Sequence, residues 1–282
     1  VMHRPMHGLL PPVVLIALAC GMVVIEDLGT AALIGMVALC MLIAGGARLW
    51  QLALAIPPAA AALGAAIYHS PYRVNRILAF LDPWADPQGT GYHPIQSMVA
   101  IAQGGLTGRG LGNGIQKFGY LPEDTTDFIF AIICEEMGVA GAVLVVSLYL
   151  VILWVGLGIV RDCRDTFGRL VGLGVILTVG IQAVINIAVV TVVVPTKGIA
   201  LPLVSAGGTG WMVTAFALGL VAALDNANHL DAVAGGTADE DLVPAELEDD
   251  EDDEGWQDGP APLPAAEHGG PPRGSRGVPV AA

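Results

Sequence analysis

Residues 136–161 read EMGVAGAVLVVSLYLVILWVGLGIVR, so a glutamate and an arginine enclose 24 uncharged and mostly apolar residues. A helix needs about 20 apolar residues to cross the hydrocarbon core of a bilayer. The third of the chain's uncharged intervals is the weakest, because Gln51, Pro57 and Pro58 interrupt it. The sequence therefore predicts an all-α, polytopic integral membrane protein with six transmembrane helices. The five further uncharged intervals, of 18 to 27 residues, are 8–25, 28–47, 49–68, 170–196 and 198–224.

The composition divides the chain into two parts. The 282 residues are 54% hydrophobic and 13% charged, whereas an ordinary soluble domain carries about 25% charged residues. Of the 26 acidic residues, 15 lie at or beyond Asp225, whereas only two of the 12 basic residues do, Arg273 and Arg276. We therefore predict a membrane domain at 1–225 and an acidic tail at 226–282, and we expect no nucleic acid partner.

The tail carries its charge in one block. Residues 246–254 contain eight acids in nine positions and are followed by a Pro/Gly-rich end. Such a segment cannot bury enough apolar area to offset the chain entropy lost on folding, so the tail is predicted to be disordered. Two interpretations remain open: a solvated end that only keeps the protein soluble, or a docking segment for a cytosolic partner.

Basic residues in the short loops predict the orientation. Arg4, Arg48 and the group at 161–169 all fall on one side of the six predicted spans, and such residues favour the cytoplasmic side. Both termini are then cytoplasmic. The segment at about 69–128 becomes a long extracytoplasmic loop, which is too long to be a mere connector.

This loop contains a glycine series at positions 104, 105, 108, 110, 112 and 114. No strand pattern precedes it and no GxxxxGK[ST] motif is present, so a nucleotide-binding site is excluded. Glycines there permit tight turns or a close approach to a ligand or a helix. The four cysteines show no paired ligand spacing, so neither disulfides nor a metal site is expected.

Short motifs of polar, glycine and proline residues recur from about Leu9 to Asn226. They include Asp27-Leu28-Gly29-Thr30, Tyr72-Arg73 with Arg76, Gln96-Ser97, Gln116-Lys117, Thr126-Asp127-Phe128, Gln182 with Asn186, and Pro195-Thr196-Lys197-Gly198. In these motifs the chain resembles the SEDS family, the bacterial group that includes FtsW, RodA and SpoVE, and the resemblance is closest to the FtsW-like members. The chain departs from the family pattern at Thr125, His93 and Ala206, where His, Gln and Tyr are usual.

The resemblance implies an activity, a location and partners. Members of the family have ten membrane helices and polymerise lipid II, the lipid-linked peptidoglycan precursor, on the outer face of the bacterial cytoplasmic membrane. This chain would then lack the first four helices, and alone it is expected to be inactive. The implied partners are a class B penicillin-binding protein with transpeptidase activity and proteins of the divisome or elongasome. A divalent cation such as Mg²⁺ is left open as a cofactor.

Asp127 is the leading candidate for the catalytic base. Glycosyl transfer from a lipid diphosphate needs a base for the acceptor hydroxyl, and Asp127 stands where the outer loop enters the fourth span. The apolar residues 128–130 that follow favour partial desolvation, which raises a carboxyl pKa toward a useful value. The alternative is an acid that caps the following helix, and the family motif favours catalysis.

The departing diphosphate needs positive charge, and the outer side supplies Arg73, Arg76, Lys117 and Lys197. Arginine binds phosphate with two parallel hydrogen bonds, and lysine supplies a compact charge. The alternative for both arginines is anchoring to lipid headgroups. The resemblance adds residues 96–97, Gln96 and Ser97, to the predicted substrate-binding set.

Two polar pairs lie near span ends. Gln182 and Asn186, spaced i, i+4, are predicted to face the protein interior, where interhelical hydrogen bonding is favoured over substrate contact. Glu135 and Glu136 are predicted to open the fourth span, where helix-start stabilisation competes with a metal or proton-handling role. They are left out of the catalytic set.

Three functions remain: a polymerase, a flippase of the same lipid, and a non-catalytic scaffold of the cell-wall synthesis complex. A flippase needs polar groups that cross the bilayer from face to face. A scaffold tolerates replacement of the outer charges. The ionisable groups crowd on the outer side and the spans are nearly free of charge, which favours the polymerase.

Overall fold

The computed structural model describes residues 9–122 and 125–240. Within these ranges the chain is helical and contains no strand. A single 3₁₀ turn, Pro83–Ala85, follows the fourth helix. The α-helices are α1 (Leu10–Glu26), α2 (Leu28–Ala44), α3 (Leu49–Tyr68), α4 (Pro71–Leu81), α5 (Tyr92–Gly104), α6 (Ile129–Asp162), α7 (Thr166–Val190) and α8 (Gly208–Glu240).

Each of the six predicted spans corresponds to one apolar helix, and the all-α, multi-pass membrane fold is confirmed. Helices α3, α6, α7 and the Gly208–Asn228 part of α8 are long and apolar enough to cross a membrane. Helices α1 and α2 have 17 residues each, or roughly 26 Å, slightly less than the hydrocarbon thickness of ~30 Å. Helix α8 continues past the predicted boundary at 226, and the acidic block 246–254 lies outside the described residues.

The structure adds detail at two places. Pro57 and Pro58, which make the third interval the weakest in the sequence, both lie within the continuous helix α3. Membrane-spanning helices tolerate proline, since neighbouring groups or local adjustment satisfy the freed carbonyls. The long segment that joins α3 to α6 contains two further helices, α4 and α5.

The core lies between α5, α6 and α7. Tyr149 and Val179 are buried in it, together with Leu201 from the segment that joins α7 to α8. Small residues let the helices approach closely: a Cβ built on Gly156 would lie 2.2 Å from Ile176 Cδ1, and one on Gly180 would lie 2.7 Å from Leu153. Such contacts are the usual basis of helix packing in membranes.

Helix α6 is broken near its beginning by Gly138, whose φ is 64°. The break frees two helix carbonyls: Glu135 O accepts from Arg109 N (3.0 Å) and Glu136 O accepts from Gly110 N (2.9 Å). In return, Val139 N donates to Gly105 O at 3.0 Å. The glycine series after α5 is therefore joined to α6 by backbone hydrogen bonds.

The connection between α7 and α8 enters the helix bundle. Residues 195–206 are irregular, and Leu201 is only 1% exposed. Side chains of α7 donate hydrogen bonds to the backbone of this segment: Gln182 Nε2 donates to Ala200 O (2.9 Å) and Asn186 Nδ2 to Ile199 O (2.6 Å). The prediction that these two side chains face the interior is confirmed. Irregular backbone at this depth is tolerated because protein groups satisfy it.

Candidate active site

Several helix ends meet on one side of the molecule. The carboxyl ends of α1 and α3, the start of α6 and residues 195–198 lie together there, connected by side-chain hydrogen bonds. Beside them lies a cavity of about 400 Å³, which is lined by residues 127–128 and 196–198 together with parts of α4, the 86–90 turn and α5. Of the seven predicted site residues, Asp127, Arg76 and Lys197 line it. The remaining lining residues are Tyr72, Asn75, Asp86, Gly89, Thr90, His93, Phe128, Thr196 and Gly198.

Asp127 is half-buried at the edge of this cavity. Helix α6 begins two residues later, with Phe128 at the N-cap position and no side-chain cap there. The Asp127 carbonyl accepts a hydrogen bond from Asn186 Nδ2 at 2.7 Å, which fixes its backbone. Its carboxylate lies against Gly198, since a Cβ built on that glycine would be 2.4 Å from Asp127 Oδ2. The backbone before α6 therefore directs this acid towards the 195–198 segment.

Lys197 lies at the same cavity and forms an ion pair with Asp27. Its Nζ is 2.7 Å from Asp27 Oδ1, with the lysine side chain 27% exposed. Asp27 also caps α2, accepting from Thr30 N (2.9 Å) and from Thr30 Oγ1 (2.8 Å). Burial raises the pKa of Asp27, but the hydrogen bonds from Lys197 and Thr30 outweigh it and lower the pKa to about 2. The Asp27 carboxylate is therefore ionised at neutral pH.

Arg76 supplies the second cation. Its Nη1 donates to Thr196 O at 3.1 Å, which ties α4 to the segment that carries Lys197. The guanidinium lies 4.6 Å from the centre of the Tyr72 ring, a cation–π distance. Two cations from different elements therefore line the cavity that contains the Asp127 carboxylate.

Arg73 does not line the cavity. It donates to Ile25 O (2.9 Å), to Ala66 O (2.9 Å) and to Val24 O. These carbonyls end α1 and α3, where a cation is favourable because the helix dipole is negative. Its predicted role in diphosphate binding has no support in this arrangement, and its guanidinium bonds protein carbonyls rather than extending to headgroups.

The other three predicted substrate residues also lie away from the cavity. Ser97 is fully buried and its Oγ donates to Val190 O at 2.6 Å. Lys117 is paired with Glu136 at 2.7 Å and donates to Gly112 O. Gln96 is half-buried on α5 and is not a lining residue.

Glu135 and Glu136 do not open the fourth span, because α6 begins at Ile129 and both lie in its second turn. Glu135 is fully buried and accepts from the backbone N–H groups of Ile115 (2.8 Å) and Gln116 (3.2 Å). Glu136 accepts from Gly112 N at 3.0 Å. Both hold the glycine-rich loop on α6. Within 9–122 and 125–240, no three His, Cys, Asp or Glu side chains are placed to hold a metal ion.

Sequence reasoning missed several cavity residues. Tyr72 and Asn75, which were not predicted, share one face of α4 with the predicted Arg76, because the three are spaced i, i+3, i+4. That spacing was available in the sequence, and it places Asn75 beside Arg76. The ring of His93 stacks on Phe128 with centroids 5.9 Å apart, a contact between α5 and the chain before α6 that no local pattern reveals.

The sequence profile of the FtsW/RodA/SpoVE family, described as a cell cycle protein, matches residues 1–230. The chain belongs to the FtsW/RodA/SpoVE family. Curated FtsW/RodA/SpoVE relatives are similar over most of the chain. The probable peptidoglycan glycosyltransferase FtsW of Nitrosococcus halophilus is 41% identical over 236 residues, which cover 82% of this chain and 61% of that protein. The protein of the same description from Geobacter metallireducens is 40% identical, over 76% of this chain and 57% of that protein.

A solved structure has a similar fold. It is described as "Structural coordination of polymerization and crosslinking by a peptidoglycan synthase complex". It aligns with a TM-score of 0.63 and 26% identity, covering 79% of this chain and 64% of that chain. The present chain spans about three fifths of the length of the curated FtsW/RodA/SpoVE relatives it matches.

Proposed function

We propose that this chain is the catalytic portion of a peptidoglycan glycosyltransferase that polymerises lipid II into glycan strands for cell division or cell-shape maintenance. The observation that carries the proposal is the cavity in which one carboxylate, Asp127, lies with two cations, Arg76 and Lys197. Relatives about 40% identical are described as probable peptidoglycan glycosyltransferases. A polymerase requires these charges on one side of the membrane, and all three line this one cavity.

The proposed chemistry assigns one role to each charge. The Asp127 carboxylate takes the proton of the acceptor sugar hydroxyl, whose oxygen then attacks the anomeric carbon of the donor sugar. The bond from that carbon to the diphosphate breaks, and the electron pair leaves with the diphosphate. Arg76 and Lys197 stabilise the negative charge that develops on the leaving group. Phe128 beside Asp127 limits access of water to the base.

The proposed orientation places the cavity on the outer face of the cytoplasmic membrane. The basic positions Arg48 and 161–169 lie at the opposite helix ends from the cavity, and this distribution favours the cytoplasm for those ends. The diphosphate of a lipid-anchored substrate lies at the membrane surface, so a cavity at the helix ends meets it there. Both termini of the described chain are then cytoplasmic.

The proposed partners follow from the solved relative. Its description concerns coordination of polymerization and crosslinking in a peptidoglycan synthase complex. We propose that this protein likewise acts with a class B penicillin-binding protein, which crosslinks the strands, within the divisome or elongasome. The proposal also includes a divalent cation such as Mg²⁺, bound to the substrate diphosphate.

The decisive experiment replaces Asp127 with Asn in the natural protein. Asn keeps the shape of the side chain and removes the base, so polymerisation of lipid II is expected to fall by roughly 10²-fold or more. Glycan products from purified protein would be measured on gels. Asp82→Asn is the matched control, because Asp82 caps the 3₁₀ turn and does not line the cavity. Near-normal synthesis by Asp127→Asn would refute the proposal.

A further inference from the structure

The first turn of α2 lies directly beneath Lys197. A Cβ built on Gly29 would be 2.6 Å from both Cγ and Cε of Lys197 and 3.0 Å from Cδ. These atoms form the middle of the lysine side chain, so it rests on the helix backbone at a point where any larger residue would displace it. The contact joins residues 168 positions apart in the chain.

Asp27 fixes the end of the same side chain. Its Oδ1 accepts from Lys197 Nζ at 2.7 Å, while Thr30 N and Thr30 Oγ1 hold the carboxylate in one rotamer at 2.9 and 2.8 Å. An ammonium carries three N–H donors, so Asp27 uses one of them and two remain for another anion. A carboxylate fixed in this way orders the lysine before an anion arrives.

The backbone after Lys197 is fixed as well. Gly198 packs against Asp127 so closely that a Cβ there would be 2.4 Å from Oδ2. Thr196, on the other side of Lys197, accepts a hydrogen bond from Arg76. The three proposed catalytic charges are thus related through three consecutive residues, 196–198.

We propose that Gly29 and Asp27 are positioning residues that order Lys197 for the diphosphate of the substrate. This inference rests on the proposed function, because it takes Lys197 to be a diphosphate ligand. A long flexible side chain loses rotamer freedom when it binds, and an ordered one has already lost it on folding. Because Gly29 and Asp27 order the Lys197 side chain when the protein folds, its rotamer freedom is not lost again when the substrate binds. In this proposal neither residue touches the substrate.

The first test compares two glycines of the same helix. Gly29→Ala displaces the Lys197 side chain and leaves every charge in place. Gly35→Ala is the matched control, since its Cβ would meet only Cys20 Sγ, at 3.9 Å. Alanine favours helix over glycine at both positions. Binding of undecaprenyl diphosphate to the natural protein in detergent is expected to weaken two- to five-fold in Gly29→Ala, the scale of a lost ion pair, and to be unchanged in Gly35→Ala.

Asp27→Asn tests the charge separately. Asparagine caps a helix as well as aspartate does, so α2 keeps its start and only the attraction to Lys197 is lost. A comparable weakening of binding is expected, with the midpoint of thermal unfolding preserved. Combining Gly29→Ala with Lys197→Gln should weaken binding no further than Lys197→Gln alone, because the two changes act through one side chain. Unchanged or tighter binding in Asp27→Asn would overturn the inference and show that Asp27 competes with the diphosphate.

A second readout follows the lysine itself. Reductive ¹³C-methylation labels lysine side chains for NMR; the Lys197 signal is assigned by its loss in Lys197→Gln, and that of Lys117, the other lysine of this sequence, by its loss in Lys117→Gln. The Lys197 signal should shift in Gly29→Ala and Asp27→Asn, while the Lys117 signal stays constant. An unmoved Lys197 signal would overturn the positioning role and leave the proposed function intact. Normal diphosphate binding by Lys197→Gln would instead refute the role of Lys197 in the proposed function.

Discussion

Arg73 and Arg76 stand three residues apart on α4 with the same charge, yet the structure gives them different surroundings. Arg76 lines the cavity, whereas Arg73 bonds the carbonyls that end α1 and α3. The sequence predicted both as diphosphate ligands, because charge and side of the membrane are all that a single sequence shows. The direction of each guanidinium depends on which carbonyls the neighbouring helices expose, and that information is absent from α4 alone.

Replacing Arg73 should therefore affect stability rather than substrate affinity. Arg73→Gln removes hydrogen bonds to carbonyls of α1 and α3, and charged donors contribute about 1.5–3 kcal/mol each. A lower midpoint of thermal unfolding is expected, with undecaprenyl diphosphate binding unchanged in the folded fraction. Arg76→Gln is the control: weaker binding is expected, with a smaller loss of stability, because Arg76 makes one backbone hydrogen bond where Arg73 makes three. Weaker binding by Arg73→Gln at unchanged stability would return Arg73 to the substrate site.

At the scale of elements, the sequence predicted the membrane spans but not the break inside α6. The uncharged intervals correspond to α1, α2, α3, α6, α7 and α8 because apolar length is a local property. The break at Gly138 was not predicted. A single glycine in an apolar sequence is compatible with a continuous helix, and only the folded structure shows that the loop after α5 bonds to the helix at this point. Asp127 was predicted from its position at a span entrance, and its proximity to Gly198 depends on the folded 195–198 segment.

The break in α6 gives a prediction with a control in the same helix. Gly138→Ala places a Cβ 2.5 Å from Gly108 N at a φ of 64°, so it is strained in both backbone and space. The free energy of unfolding is expected to fall by roughly 2 kcal/mol or more. Gly158→Ala meets nothing within 4 Å and should be neutral or stabilising. Thermal unfolding in detergent measures both, and equal stability of the two variants would show that the loop does not depend on the break.

At the scale of the whole molecule, the sequence joins a membrane domain to a block of charge that the proposed catalysis on the opposite face does not require. The family resemblance predicted the membrane part closely, because its motifs lie within residues 9–122 and 125–240, which the structure describes. The tail beyond 241 lies outside the described residues. Its proposed role as a docking segment therefore rests on its eight acids between 246 and 254.

Deleting residues 241–282 from the natural protein should spare polymerase activity in detergent and impair localisation to the division site. A basic cytosolic partner is attracted over a Debye length of about 8 Å at physiological salt, so its binding should weaken steeply as salt is raised. Replacing the eight acids of 246–254 by their amides is the control for charge with length preserved. Fluorescence microscopy and a salt series of pull-downs measure the two effects. Unchanged localisation after the deletion would leave the tail as a solvated end.

The buried segment 195–206 also bears on the fate of incomplete chains. Its anchoring partners Asn186, Gln182 and Tyr149 all precede it, so a chain that ends before residue 195 contains these side chains without the carbonyls of 199–202 to which they donate. Gln182 and Tyr149 then lose those partners at a depth where that is costly, whereas Asn186 keeps its bond to Asp127 O. A chain truncated after α7 therefore presents unsatisfied polar groups inside the bilayer, and membrane quality-control proteases are expected to remove it faster than a chain that extends beyond residue 206.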